Sequence, residues 1–223
     1  MSGRPFIVFD CDGTLTDSHH VIVETMMRAF EAHNLKAPTD TQTRGVIGLS
    51  LPVAIEHLAP AHAQAAVPQL VQSYKEIFRA LRASGQAVEG LYPHVRSCLT
   101  ALKQAGAILG IATGKSRRGL ESVLETHDLG AFFVTLQTAD TNLSKPHPEM
   151  LETAMADAGA EPNDTVMIGD SPFDIQMALA AGTHAVGVEW SDHGPAALRR
   201  AGAHSILRGY QDWQSLLQFS AVA

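Results

Sequence analysis

Five short apolar runs, each cut off by a polar or glycine-containing turn, constrain the fold of this chain more than any other feature. They lie at residues 6–9, 107–112, 132–134, 166–168 and 184–188. Continuous apolar runs of this length suit strands buried on both faces, as in a parallel sheet. The stretches between the later runs carry a helical period. Val95, Cys98, Leu99 and Leu102 follow i, i+3, i+4, i+7, as do Leu151, Ala154, Met155 and Ala158, and Leu120, Val123 and Leu124 begin a third such face. Strands alternating with helices predict an α/β fold: a Rossmann-like, doubly wound parallel sheet covered on both sides.

One interval breaks the rhythm. Nearly a hundred residues separate the first run from the second, where one crossover helix at 93–104 would suffice. The excess is helical in character: Ile22, Met26 and Phe30 share a face, and further helical patterns run over 53–58 and 67–81. Pro68 fits the first turn of a helix better than its interior. Residues 17–88 therefore read as an inserted helical cap subdomain, with Gly85 and Gly90 marking its exit. Residues 1–16 and 89–223 form the sheet core.

Composition bounds the function. The 223 residues are 45% hydrophobic and 17% charged, which describes a folded globule. Sixteen Lys and Arg against 23 Asp and Glu leave a formal charge of −7, which argues against a nucleic-acid partner. Cys11 and Cys98 alone cannot make a disulfide framework or a thiolate metal site. No apolar run is long enough for a membrane span, and the short one after Arg4 meets Asp10, unlike a signal peptide. The expectation is a soluble cytoplasmic protein with no membrane partner.

Chemistry-bearing residues collect where the strands end, which is where ligands bind in doubly wound sheets. Asp10-Cys11-Asp12-Gly13-Thr14-Leu15-Thr16-Asp17-Ser18 follows the first run, and two carboxylates one residue apart before a glycine suit a tight loop. Thr113-Gly114-Lys115-Ser116 follows the second and offers a hydroxyl, an open backbone and a helix start for an anion. Ser144-Lys145-Pro146-His147-Pro148 fixes a lysine between prolines, and Gly169-Asp170-Ser171-Pro172-Phe173-Asp174 follows the fourth run. Each alone also reads as ordinary structure: a solvated turn, a capping loop, or an N-cap with a first-turn acid.

Taken together and in this order, D-x-D-G-T, T-G-K, K-P and G-D-x-x-x-D resemble the haloacid dehalogenase (HAD) superfamily over nearly the whole chain, helical insertion included. Leu91-Tyr92-Pro93, with Val95, Leu99, Leu102 and Gly106, resembles the cap-return segment of its phosphoglycolate phosphatase-like branch. The resemblance implies a Mg²⁺-dependent phosphatase. Asp10 would be the nucleophile that forms an aspartyl-phosphate, and a metal ligand. Asp12 would be the general acid and base, its carbonyl touching the metal. Thr113 and Gly114 would hold the phosphoryl oxygens, and Lys145 would neutralise the nucleophile and the transferring group. Asp170 would bind Mg²⁺, with Asp174 supporting the metal shell. With Asp12 counted as protonated, Mg²⁺ and Lys145 would leave a site holding a phosphate dianion about one charge negative.

Asp12 does not fit the dehalogenases or the phosphonate-cleaving branch, so phosphoryl transfer is the expected chemistry. The β-phosphoglucomutase branch shares the Asp pair, but Thr113-Gly114-Lys115 looks more like the phosphatases; a non-catalytic binding module is the remote alternative. Gly114 departs from the Asn of many phosphoglycolate phosphatases. Lys115 stands either on the substrate or merely at a helix start. Gly48, Leu49 and Ser50 fall where the family's cap specificity loop would lie. Arg44 is either a partner for a substrate carboxylate or a surface arginine. His19 and His20 begin the first cap helix, where either one faces the substrate or both lie on the helix surface; Cys11 reads as a small buried filler, and Arg117 and Arg118 either steer anionic substrates or form a solvated helix face. The expected substrate is a small phosphorylated metabolite, 2-phosphoglycolate first among them. Monomer and homodimer both stay open.

Overall fold

The structure, a computed structural model, describes residues 4–218. A six-stranded parallel sheet forms its centre. Its strands are β1 (Phe6–Phe9), β4 (Ile108–Thr113), β5 (Thr135–Thr138), β6 (Thr165–Gly169), β7 (His184–Val188) and β8 (Ser205–Leu207), in spatial order β5-β4-β1-β6-β7-β8. The first strand lies inside, pairing Phe6 with Ile108 on one side and with Thr165 on the other. All four of its side chains are fully buried, which is why it reads as an unbroken apolar run. The strand order reverses at β1, so its carboxyl end opens into the crevice where such sheets bind ligands.

Helices α5 (Val95–Gln104), α6 (Arg117–Thr126), α7 (Glu149–Ala158), α8 (Pro172–Ala180) and α9 (Pro195–Arg200) cross over between these strands. The apolar positions read from the period are buried: Val95, Cys98, Leu99 and Leu102 on α5, Leu120, Val123 and Leu124 on α6, Leu151, Ala154 and Met155 on α7, where Ala158 is half-buried. One cluster forms beneath α5 and α6, the other beneath α7 and α8, one on each face of the sheet.

Two strands depart from expectation. The third run does not form its strand where the apolar residues stand. Phe132 closes a 3₁₀ turn (Gly130–Phe132), Val134 is exposed, and the strand starts at Thr135. Phe132 and Phe133 pack sideways onto the core from that turn, while the polar strand places Thr135 and Gln137 in a hydrogen-bond network with Asp157. The edge strand β8, three residues long, gave no readable run.

Residues 16–17 (β2, Thr16–Asp17) and 90–91 (β3, Gly90–Leu91) pair antiparallel, so the chain leaves and re-enters the sheet side by side. Between them stand α1 (His19–Glu31), α2 (Asp40–Arg44), α3 (Leu51–Leu58) and α4 (Val67–Ala83). These helices have an apolar cluster of their own, built on Met26, Phe30, Ile55, Ala59 and Leu70. Pro52 and Pro68 occupy first turns, where a missing N–H costs nothing. The short α2 was not foreseen; Thr39 and Gln42 close a capping box at its start. No helix among the described residues is long and apolar enough to cross a membrane.

Candidate active site

Asp10 continues the ladder one residue past β1, its N–H donating to Ile168 O at 2.9 Å. The chain then coils tightly: the N–H groups of Thr14, Leu15 and Thr16 all point at Cys11 O. Gly13 takes a φ of +77°, and a Cβ there would lie 2.3 Å from His19 Nε2 and 2.4 Å from Asp170 Oδ2, so no side chain fits. The loop's outward carbonyls are held from afar, Gly13 O by Trp190 Nε1 and Thr14 O by the Tyr210 hydroxyl.

Three carboxylates from two loops meet beside it. One oxygen each of Asp10, Asp170 and Asp174 lies within 4.8 Å of the others, and all three residues are buried. Asp174 is fully engaged: Oδ1 accepts from Lys145 Nζ at 2.6 Å, and Oδ2 from the N–H and hydroxyl of Ser171, closing a capping box on α8. It is thus both an N-terminal cap acid and a member of the cluster. Asp170 Oδ1 accepts from the Thr14 hydroxyl at 3.2 Å. Lys145 Nζ stands 3.0 Å from Asp10 Oδ1, yet neither oxygen of Asp10 has a hydrogen bond of good geometry.

One ammonium does not balance three buried carboxylates. Burial pushes Asp10 up to about 6; the Lys145 charge opposes the rise and the Asp174 charge adds to it. Asp170 is raised well above the carboxylate range by burial and then by the charges of Asp174 and Asp10. The Asp10 oxygens, without a hydrogen bond and beside two further carboxylates, suit a hard divalent cation, which would remove this repulsion.

Asp12 stands in a different field. Its Oδ1 accepts from the Ser18 hydroxyl at 2.6 Å and from Lys115 Nζ at 2.7 Å. Lys115 Nζ also reaches Glu89 at 2.8 Å, and Glu89 in turn holds Arg82 at 2.5 Å. Burial alone would raise Asp12, but the charge and hydrogen bond of Lys115 and the Ser18 hydroxyl hold it below the usual carboxylate range. In the free protein Lys115 thus favours the ionised form of Asp12.

Thr113 ends β4, buried, its Oγ1 accepting from Lys115 N at 3.3 Å. Gly114 lies under residues 48–50. A Cβ at Gly114 would sit 2.5 Å from Leu49 O and 2.6 Å from Gly48 O, so a side chain has no room here. Ser50 N donates to the Ser144 hydroxyl at 2.9 Å. Below this loop is a cavity of about 390 Å³ that reaches from Asp10, Asp12 and Thr113 to Ile22, Met26 and Phe78.

Arg44 is not in the wall of that cavity. It pairs with Asp40 and with Asp192. His19 shares Asp192, through Nδ1 at 2.5 Å, and turns Nε2 to within 3.5 Å of Asp170 Oδ2. His20 is exposed, Arg117 pairs with Glu121, and Arg118 lines the cavity. Cys11 is buried in the core and its thiol pushed up by burial. Sequence reasoning missed Glu89 and Asp192. Asp192 was within reach of the strand-end rule, lying just past the run that ends at Val188; Glu89 stands at the return to the core.

The profile of the haloacid dehalogenase-like hydrolase family matches residues 7–188. The chain is 33% identical over 211 residues to a protein of Dickeya dadantii (strain 3937) described as the probable phosphatase IndB, covering 94% of this chain and 91% of that one. It is 30% identical over 212 residues to the pyrophosphatase PpaX of Anoxybacillus flavithermus, covering 95% of each. A phosphoglycolate phosphatase of Vibrio vulnificus is 30% identical over 195 residues, 84% of this chain and 85% of that one. A crystal structure of a haloacid dehalogenase-like hydrolase from Bacteroides fragilis superposes with a TM-score of 0.80 at 27% identity, covering 93% and 98% of the two chains. With its strand order, its strand-end carboxylates and its sequence all agreeing, the chain belongs to the haloacid dehalogenase-like hydrolases.

Proposed function

We propose that the protein is a Mg²⁺-dependent phosphatase of small phosphomonoesters that works through an aspartyl-phosphate on Asp10, with helices α1–α4 as the cap over the site. The observation that carries this reading is the Asp10 carboxylate itself: buried, without a well-formed hydrogen bond, 3.0 Å from the Lys145 ammonium and open to the cavity. An unshared oxygen in such a place is a nucleophile held ready.

An oxygen of Asp10 bonds to phosphorus as the ester oxygen departs, and Asp12 gives the departing oxygen a proton. Asp12 is ionised in the free protein; a phosphate dianion arriving beside it raises its proton affinity, and it takes up a proton from solvent before the ester oxygen departs. Water then attacks phosphorus, leaves its proton on Asp12, and the bond to Asp10 breaks. Lys145 offsets charge on Asp10 and the phosphoryl group, and Thr113 with the Gly114 backbone holds the phosphoryl oxygens. Asp10, Asp170 and the Asp12 carbonyl are the groups to hold Mg²⁺, with Asp174 as support. When bound, the ion supplies the positive charge that lets phosphate approach carboxylate.

The named activities of the relatives support phosphate-ester or anhydride cleavage as the reaction class, and 2-phosphoglycolate heads the substrate panel. The test is p-nitrophenyl phosphate hydrolysis with Mg²⁺, with chelator, and by Asp10→Asn. Turnover that chelator abolishes, and that the variant loses by on the order of a thousandfold or more, is expected. Equal release by wild type and variant would refute the reading.

A further inference from the structure

The cations in and beside the cavity fall into two sets. One set is already matched: Lys145 by Asp10 and Asp174, Lys115 by Asp12 and Glu89, Arg82 by Glu89. The other set is three cations of the wall with no carboxylate within ion-pair distance among the described residues: Lys75, Arg79 and Arg118. Asp140, the remaining acid of the wall, is engaged with the Arg117 N–H at the start of α6. Lys75, Phe78, Arg79 and Arg82 are spaced i, i+3, i+4, i+7 on α4, one stripe turned to the cavity. The wall also has apolar residues, Ile22, Met26 and the Phe78 ring.

Volume speaks in the same direction. About 390 Å³ holds roughly a dozen waters at about 30 Å³ each, so a two-carbon acid phosphate would leave much of the apolar wall wet. We propose that the substrate is a phosphomonoester with an apolar body that ends in a second acidic group, received by Lys75, Arg79 and Arg118. This rests on the phosphatase reading and names the class of ester the site prefers. The phosphate sits on Asp10 and Thr113, the body lies against Met26 and Phe78, and the second anion meets the cations that have no ion-pair partner. Arg44, expected as a candidate for that role, is taken by Asp40 and Asp192.

The test compares 4-carboxyphenyl phosphate with its neutral counterpart 4-carbamoylphenyl phosphate, by kcat/KM, at low and high KCl. Wild type prefers the carboxylate by about tenfold, what two or three part-exposed ion pairs supply together. Added salt shrinks the preference, and both esters outrun 2-phosphoglycolate. In Lys75→Ala/Arg79→Ala the ratio falls to near one, while Lys75→Arg keeps it. Because the readout is a ratio, a variant that merely folds poorly lowers both values and leaves it unchanged. A wild-type ratio near one, or a ratio the double variant does not move, overturns the proposal while the phosphatase reading stands. Failure of wild type to hydrolyse either ester, or p-nitrophenyl phosphate, with Mg²⁺ overturns both.

Discussion

Asp10 shows what it costs to keep a nucleophile ready. In a denatured chain its carboxyl titrates near 3.8; buried beside Asp170 and Asp174 it does so at about 6. The raised value means that the folded protein binds more protons than the unfolded one between these limits. The contribution of Asp10 to stability is therefore complete below about pH 4 and is lost as pH rises through about 6. A bound divalent ion must displace that proton. We expect Mg²⁺ to raise the melting temperature more at pH 7.5 than at pH 5.0. Asp10→Asn, which removes the buried charge, should melt above metal-free wild type at pH 7.5 and lose most of the response to Mg²⁺. Calorimetric scans with and without chelator at the two pH values check this, and a variant that melts lower would contradict it. Asp12, two positions on, has the opposite electrostatics because Lys115 and Ser18 face it.

The elements meet where Gly114 ends its strand. Its φ is unexceptional, so the glycine is required by contact, not by backbone conformation: carbonyls of Gly48 and Leu49 press where a Cβ would be. Backbone oxygens cannot swing aside as a flexible side chain does. Gly114→Ala should therefore lift the 48–50 loop and raise KM for p-nitrophenyl phosphate by about tenfold, an effect in the range of a small overpacking strain. The far-ultraviolet circular dichroism should be unchanged. An unaltered KM would mean that this loop does not cover the substrate.

Across the whole molecule, Asp192 joins what the chain order keeps apart. It lies beyond β7 and binds both His19 at the start of α1 and Arg44 at the end of α2. The chain enters and leaves the inserted helices through the pair β2–β3; Asp192 adds a non-covalent attachment. Asp192→Ala should leave the sheet intact and free these helices to open more often, so that trypsin cleaves within residues 19–83 several-fold faster. Cleavage at the wild-type rate would show that the apolar contacts hold them unaided. Excess substrate analogue with Mg²⁺ should slow the cleavage in both proteins.

What the sequence determined by itself was local and periodic. Apolar runs placed the buried strands, a 3.6-residue period placed the buried faces of α5, α6 and α7, and prolines marked helix starts, because each of these signals lies within one element. The motifs at strand ends were legible for the same reason: a parallel strand presents its last residue to the ligand crevice. The tertiary structure alone decided which charges meet. Lys115 is 103 residues from Asp12, and Asp192 is 173 from His19; their contacts exist because the sheet order sets β4 and β7 around β1. The third strand begins past its apolar residues because Phe132 and Phe133 find the core from a turn, which no local pattern announces. Proton affinity followed the same division: two aspartates of one tripeptide titrate in opposite directions, since burial and neighbouring charge are properties of the fold and not of the residue.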